Sequence, residues 1–172
     1  MSDKLPEFID PVLFAERRSI LSGSLKIASL ERLSSAVSEN SGNILVELQF
    51  DKQGKYAVVS GHIKTVLQLE CQSCLQQLEW AIDAPIKLAV VSSLQEADQL
   101  EIDCEPLLFN GEKISLNELI EDEILLTLPD YPKHDYDCIV RRHSKDADFD
   151  DSKQDQTHNP FSVLANLKKT GE

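Results

Sequence analysis

The sequence predicts an α+β protein: an antiparallel β-meander sheet packed with a few helices, followed by an acidic disordered linker and a short C-terminal helix. Three observations carry this expectation. Apolar residues recur at every second position on both sides of Cys71-Gln72-Ser73-Cys74, a helical stripe runs from Ser115 to Leu128, and His143 to His158 is nearly devoid of apolar side chains. The expected divisions are 1–142 for the domain, 143–158 for the linker and 159–172 for the final helix and tail.

In chain order, Phe8 to Arg18 reads as one short helix, with Asp10 as N-cap and Pro11 as its first residue. Ser19 to Ile27 alternates like a strand whose Gly23 suggests an edge or a bulge. Ser29 opens a second helix carrying Leu30, Leu33, Ala36 and Val37 on one face, closed by Asn40-Ser41-Gly42. From Asn43 the period becomes two, with Ile44, Val46, Leu48 and Phe50 on one side, and Asp51 to Gly54 forms a turn. The next strand buries Ala57, Val59, Gly61, Ile63, Thr65, Leu67 and Leu69. Its partner buries Leu78, Trp80, Ile82, Ala84, Ile86, Leu88 and Val90, so Cys71 and Cys74 sit at a hairpin tip. Pro85 cannot donate to a ladder, so the third meander strand is an edge or bulged there.

Gln95 to Glu105 carries five acids and no cation, the composition of a solvated loop. Ser115 and Glu118 have the spacing of a capping box ahead of Leu116, Leu119, Ile120, Ile124 and Leu128, and Pro129 ends that helix. Glu121, Asp122 and Glu123 are expected to cover its outer surface, either as a solvated face or as a docking face for a cationic partner. Asn159 as N-cap and Pro160 as first residue, with Phe161, Leu164, Ala165 and Lys168 on one face, mark the last helix. It is too short to be stable alone and is expected to dock on a partner through Phe161 and Leu164.

Composition narrows the function. With 172 residues and 41% apolar content the chain supports one core, and no stretch approaches the roughly 20 apolar residues that span a bilayer. The start, Met-Ser-Asp-Lys-Leu-Pro-Glu, lacks the basic and apolar regions of a signal peptide, so a cytoplasmic location is expected. Reduced cysteines follow from that location, which favours metal ligands or buried thiols over disulfides. Thirty acidic against seventeen basic residues give a formal charge of -13, which opposes bulk binding to nucleic acid and suits a basic protein partner.

A Cys-x-x-Cys turn supplies two zinc ligands that cannot slide apart, and His134 with Cys138 forms a second pair at a spacing found in zinc sites. Cys71, Cys74, His134 and Cys138 are therefore expected to converge on one zinc ion. The alternative is that both pairs are unliganded, the first as buried thiols. Thiol–disulfide exchange needs a stabilised thiolate, which Glu70 beside Cys71 opposes. Scattered glycines form no phosphate-binding loop, so no enzyme and no small-molecule substrate are expected.

Three runs carry a resemblance: Leu69-Glu70-Cys71-Gln72-Ser73-Cys74, Glu121-Asp122-Glu123-Ile124-Leu125-Leu126-Thr127-Leu128-Pro129, and the tail from Asn159-Pro160-Phe161 to Lys168. In this order they resemble the YceD family of large ribosomal RNA subunit accumulation proteins. The resemblance implies a cytoplasmic bacterial protein needed for synthesis, processing or stability of 23S ribosomal RNA, without an established enzymatic activity. Many members of the family carry a cysteine where His134 stands and further cysteines after Cys138, which this chain lacks. The acidic charge then points to a basic ribosomal protein or assembly factor as the direct partner, with ribosomal RNA affected at least indirectly. The competing expectation is direct RNA binding through Arg17, Arg18, Arg141, Arg142, Lys168 and Lys169 gathered into one patch.

Overall fold

The computed structural model describes residues 5–100 and 103–138. The expected linker and C-terminal helix, with Asn159, Pro160, Phe161 and Leu164, lie outside the described residues, as do Arg141, Arg142, Lys168 and Lys169. Chain order is β1 (Phe8–Ile9), α1 (Pro11–Glu16), β2 (Ile20–Lys26), a 3-10 turn (Ile27–Ser29), α2 (Glu31–Ala36), β3 (Asn43–Gln53), β4 (Tyr56–Glu70) and β5 (Gln77–Val91). It continues with α3 (Leu94–Asp98), β6 (Glu105–Leu108), β7 (Ile114–Ser115) and α4 (Leu116–Thr127). The fold is α+β. Strands β2-β3-β4-β5 form an antiparallel meander, β6 adds parallel to β5, and β1 pairs with β7 in a separate two-stranded ribbon.

Alternation decides the faces as expected. In β3, Ile44, Val46, Leu48 and Phe50 are buried while Leu45, Glu47 and Gln49 are exposed. In β4 and β5 the buried set includes Val59, Ile63, Leu67, Ile82, Ile86 and Leu88. Leu116, Ile120 and Ile124 of α4 close this layer, together with Leu33 of α2 and Ala15 of α1. Each buried leucine, isoleucine or valine here contributes about 1.5–3 kcal/mol by leaving water, and their contiguity makes this the main core. Trp80 is half-buried at the core margin rather than largely buried, because it stands on the part of β5 that β6 does not reach, at the edge of the sheet.

Local chemistry explains the termini. Asp10 accepts from the Leu13 amide at 3.0 Å and Ser115 from the Glu118 amide at 3.3 Å, so both expected N-caps form. The first helix begins at Pro11 as expected, and Phe8 and Ile9 ahead of it are held in β1 by Ser115 and Ile114. The expected Asp51–Gly54 turn narrows to Gly54-Lys55, since strand pairing continues to Gln53 and Tyr56; Gly54 supplies the required φ of +60°. Pro85 faces His62 in β4, and β6 pairs with β5 only from Leu88 onward, so the other side of β5 is an edge at the proline as expected.

Three further expectations need correction. The acidic stretch is not a plain loop: Ser93 caps the short helix α3, and Glu105 begins β6. Tyr56, Val58 and Val91 form a second, small cluster with Ala97, Leu100 and Cys104, which gives this segment apolar surface to settle on. Ser29 does not open α2; its hydroxyl donates to the Lys26 carbonyl, and the helix starts at Glu31 after Leu30, which has no capping side chain. Glu121 is not on an outer surface. It is only 5% exposed, accepts from the Leu33 amide at 3.0 Å and from Arg32 Nε at 2.9 Å, and thereby caps α2 from the neighbouring helix.

Candidate metal centre

The tip of the β4–β5 hairpin is shaped by its own backbone. The Cys71 amide donates to the Gln76 carbonyl at 2.9 Å and the Leu75 amide to the Cys71 carbonyl at 2.8 Å, which curls residues 71–76 into a tight turn. Leu75 takes a left-handed φ of 59° to complete it, an uncommon conformation for a leucine. Cys71 and Cys74 are buried in this turn.

The second half arrives from the other end of the domain. After α4, Pro129 and Pro132 keep the chain extended, and the Pro132 carbonyl accepts from the Gln72 amide at 2.9 Å, docking the loop on the turn. This brings Cys138 Sγ to 3.7 Å from Cys71 Sγ, and His134 Nδ1 to 3.5 Å from Cys74 Sγ. All four ligand atoms, Cys71, Cys74, His134 and Cys138, lie within 4.8 Å of one another, so the Cys3His cluster could hold a metal ion.

Ring orientation suits that role. His134 Nε2 lies 3.1 Å from the Gln77 carbonyl, which assigns the proton to Nε2 and leaves the Nδ1 lone pair facing the thiols. Tyr136 packs on the ring, with centroids 4.7 Å apart. Gln77 carries no signal in the sequence, since any residue would supply that carbonyl.

The thiols are electrically unequal. Burial works against ionisation of Cys71, but the backbone amides of Cys74, His134 and Ser73, with the Cys74 thiol, outweigh it and bring Cys71 down to about 5. Amide donors, not the expected opposition from Glu70, dominate its environment. Cys138 is pushed up to about 11 by burial and by the thiols of Cys74 and Cys71. Three thiols this close resist shared ionisation, and a cation among them reverses that resistance. Cys104 lies apart, half-buried beside Tyr56 and Val91.

The acidic run on α4 has divided roles. Glu121 is the buried cap, while Asp122 remains exposed and binds Arg32 Nη1 at 2.6 Å. Burial, then Glu105 and Asp122, raises the Glu123 carboxyl above its ordinary value. Of the six cations of the competing RNA-binding expectation, Arg17 and Arg18 follow α1, with Arg18 Nε 3.4 Å from Asp51.

Fold and cluster together define a class: an antiparallel meander whose main core is covered by α1, α2 and α4 and whose longest hairpin ends in a Cys3His cluster able to hold a metal. Comparison with known proteins specifies it further. The family model described as large ribosomal RNA subunit accumulation protein YceD matches residues 59–168. The protein of that name from Haemophilus influenzae is 34% identical over 171 residues, covering 96% of this chain and 97% of that protein. The chain belongs to the YceD family. No solved structure matches it.

Proposed function

We propose that this chain is a non-enzymatic, cytoplasmic factor of ribosome biogenesis that supports the accumulation of large-subunit ribosomal RNA. The family match over residues 59–168 carries the reading, because it spans the hairpin, the metal cluster and α4 together. At a charge of -13, affinity for the RNA backbone is disfavoured, and a basic ribosomal or assembly protein is the direct partner. Deletion of the gene should lower mature 23S ribosomal RNA; unchanged 23S levels would overturn the proposal. Affinity capture with and without nuclease separates the routes, since a directly bound protein survives nuclease and an RNA-bridged one does not.

The ion proposed for the cluster is zinc, in a structural role. Tetrahedral bonds of about 2.3 Å to sulfur and 2.0–2.1 Å to nitrogen place sulfurs about 3.8 Å apart and sulfur about 3.6 Å from nitrogen. The spacings of 3.7 Å and 3.5 Å agree with that geometry. When bound, zinc would neutralise the thiolates and tie the loop to the hairpin; Cys71, Cys74 and Cys138 would bind through Sγ and His134 through Nδ1. Elemental analysis of protein purified without chelator should find close to one equivalent.

Phe161 and Leu164 are proposed as anchors of a C-terminal docking helix that begins at Asn159-Pro160. The double variant Phe161→Ala with Leu164→Ala should lose function in a deletion strain while melting like the parent chain. Early melting instead would mean that the segment packs on its own domain.

A further inference from the structure

The five-stranded sheet has two edges of opposite character. On one side β6 is four residues long and contains Pro106, and the open part of β5 beside it carries Pro85; short strands and prolines discourage the addition of another strand. On the other side β2 offers seven residues in regular register with β3, no proline, and one charge, Lys26, at its end.

The hydrogen-bond phase of β2 is known from its flanks. The Phe50 amide donates to the Ser19 carbonyl and the Ile27 amide to the Gly42 carbonyl, so odd-numbered residues face β3. The even-numbered residues Ile20, Ser22, Ser24 and Lys26 therefore turn their N–H and C=O groups outward. Among the described residues the Lys26 carbonyl takes the Ser29 hydroxyl, and the other outward groups have no partner. Open grooves flank the strand on both faces, one lined by Ile20, Ser22 and Glu47, the other by Leu5, Leu25 and Lys26.

The outward strand is self-complementary. Leu21-Ser22-Gly23-Ser24-Leu25 reads the same in both directions. We propose that β2 is a self-association edge, on which a second copy of this chain pairs antiparallel about a two-fold axis at Gly23. Ser22 of one copy then meets Ser24 of the other, and Ile20 meets Lys26, so all four outward residues are paired. A register shifted either way leaves one end residue out. Gly23 meets Gly23 in a non-hydrogen-bonded pair, where backbones approach to about 4.5 Å and the missing side chain removes any clash. Leu21 lies opposite Leu25 on the face where both already pack against the core, which extends that apolar layer across the axis. On the other face Ile20, 70% exposed, is covered by the aliphatic stem of Lys26.

A contact one strand wide falls short of the roughly 1,200 Å² of a stable interface. The dimer is therefore weak and reversible, and the charge of -13 on each copy makes it tighter at higher salt.

Sedimentation of the full chain from about 5 µM to about 500 µM, at low and high salt, tests this. The mass should rise from 19.3 kDa toward twice that value, more readily at high salt. Hydrogen exchange should show Leu21, Gly23 and Leu25 protected throughout, and the amides of Ser22 and Ser24 slowing at least about ten-fold with concentration. Ser24→Pro removes an outward N–H and leaves the ladder to β3 intact, so it should stay monomeric. If it fails to fold, Ser22→Asp with Ser24→Asp keeps every N–H and sets like charges opposite one another. A chain monomeric at every concentration and both salts overturns the proposal. A dimer that persists in these variants, or outward amides protected in a monomer, overturns it equally, because the contact or the cover then lies elsewhere.

Discussion

The hairpin and the loop that meets it at the cluster are ordered by different physics. Residues of β4 and β5 are fixed twice, by a ladder of paired backbone groups and by side chains that alternate into a shared core. The loop Pro129–Cys138 belongs to no ladder; it touches the turn through the Gln72 amide, the Gln77 carbonyl and the side chains of His134 and Cys138. Within one domain, some segments are held by buried area and others by a few directional bonds. The first kind degrades gradually on substitution, while the second is lost when any one bond fails.

This contrast can be broken from the side of the sheet. Ile120→Ala, at a fully buried position facing the strands, should lower stability by about 2–5 kcal/mol while metal content per folded chain is unchanged, read by denaturant unfolding and elemental analysis. Glu121→Ala should cost about 1–3 kcal/mol, because the Leu33 amide loses its acceptor away from water and Arg32 keeps only Asp122. A loss near zero would remove Glu121 from its capping role.

The loop sharpens the same contrast at smaller effect on the sheet. With zinc in the cluster as proposed, Cys74→Ser should drop the zinc content below about one tenth of an equivalent and speed amide exchange at Gln72, yet melt closer to the parent than Ile120→Ala does. Smallest is Asp83→Asn. The Lys64 ammonium, outweighing partial burial and aided by His62, holds the Asp83 carboxyl below its ordinary 3.8. A lowered value in the folded state means that the stabilisation is present above pH 3.8 and disappears as the pH falls through the lowered value. Since all three groups are more than half exposed, the melting difference between parent and Asp83→Asn should be slight at pH 7 and absent at strongly acid pH.

The sheet was legible because a period of two needs only a handful of residues to be read, and β3, β4 and β5 are 11, 15 and 15 residues long. β6, at four residues with a proline inside, is too short for any period to register, and its place is set by parallel pairing with β5 and by Leu107 packing on the main core. The Cys-x-x-Cys half of the cluster is local and stood out, whereas its meeting with His134 and Cys138 depends on where α4 ends relative to the hairpin tip. Charge alone points Glu121 outward, whereas the fold buries it. Its position three residues before Ile124 and four before Leu125 places it on the flank of the apolar stripe, and α2 begins without a capping side chain, so both halves of that contact were present in the chain.

Separation along the chain also sets an order in time. His134 follows Cys74 by 60 residues and Cys138 follows Cys71 by 67, so at about 5–20 residues per second the first thiol pair is synthesised roughly 3–13 s before the second is available. A hairpin closes in about 1–10 µs, so the two early thiols wait, already curled into their turn, for the rest of the domain to follow. The ligand set becomes complete only when the chain has passed α4. Closure of the cluster therefore marks a finished domain, and a nascent chain arrested before His134 would carry its hairpin without the means to fasten it.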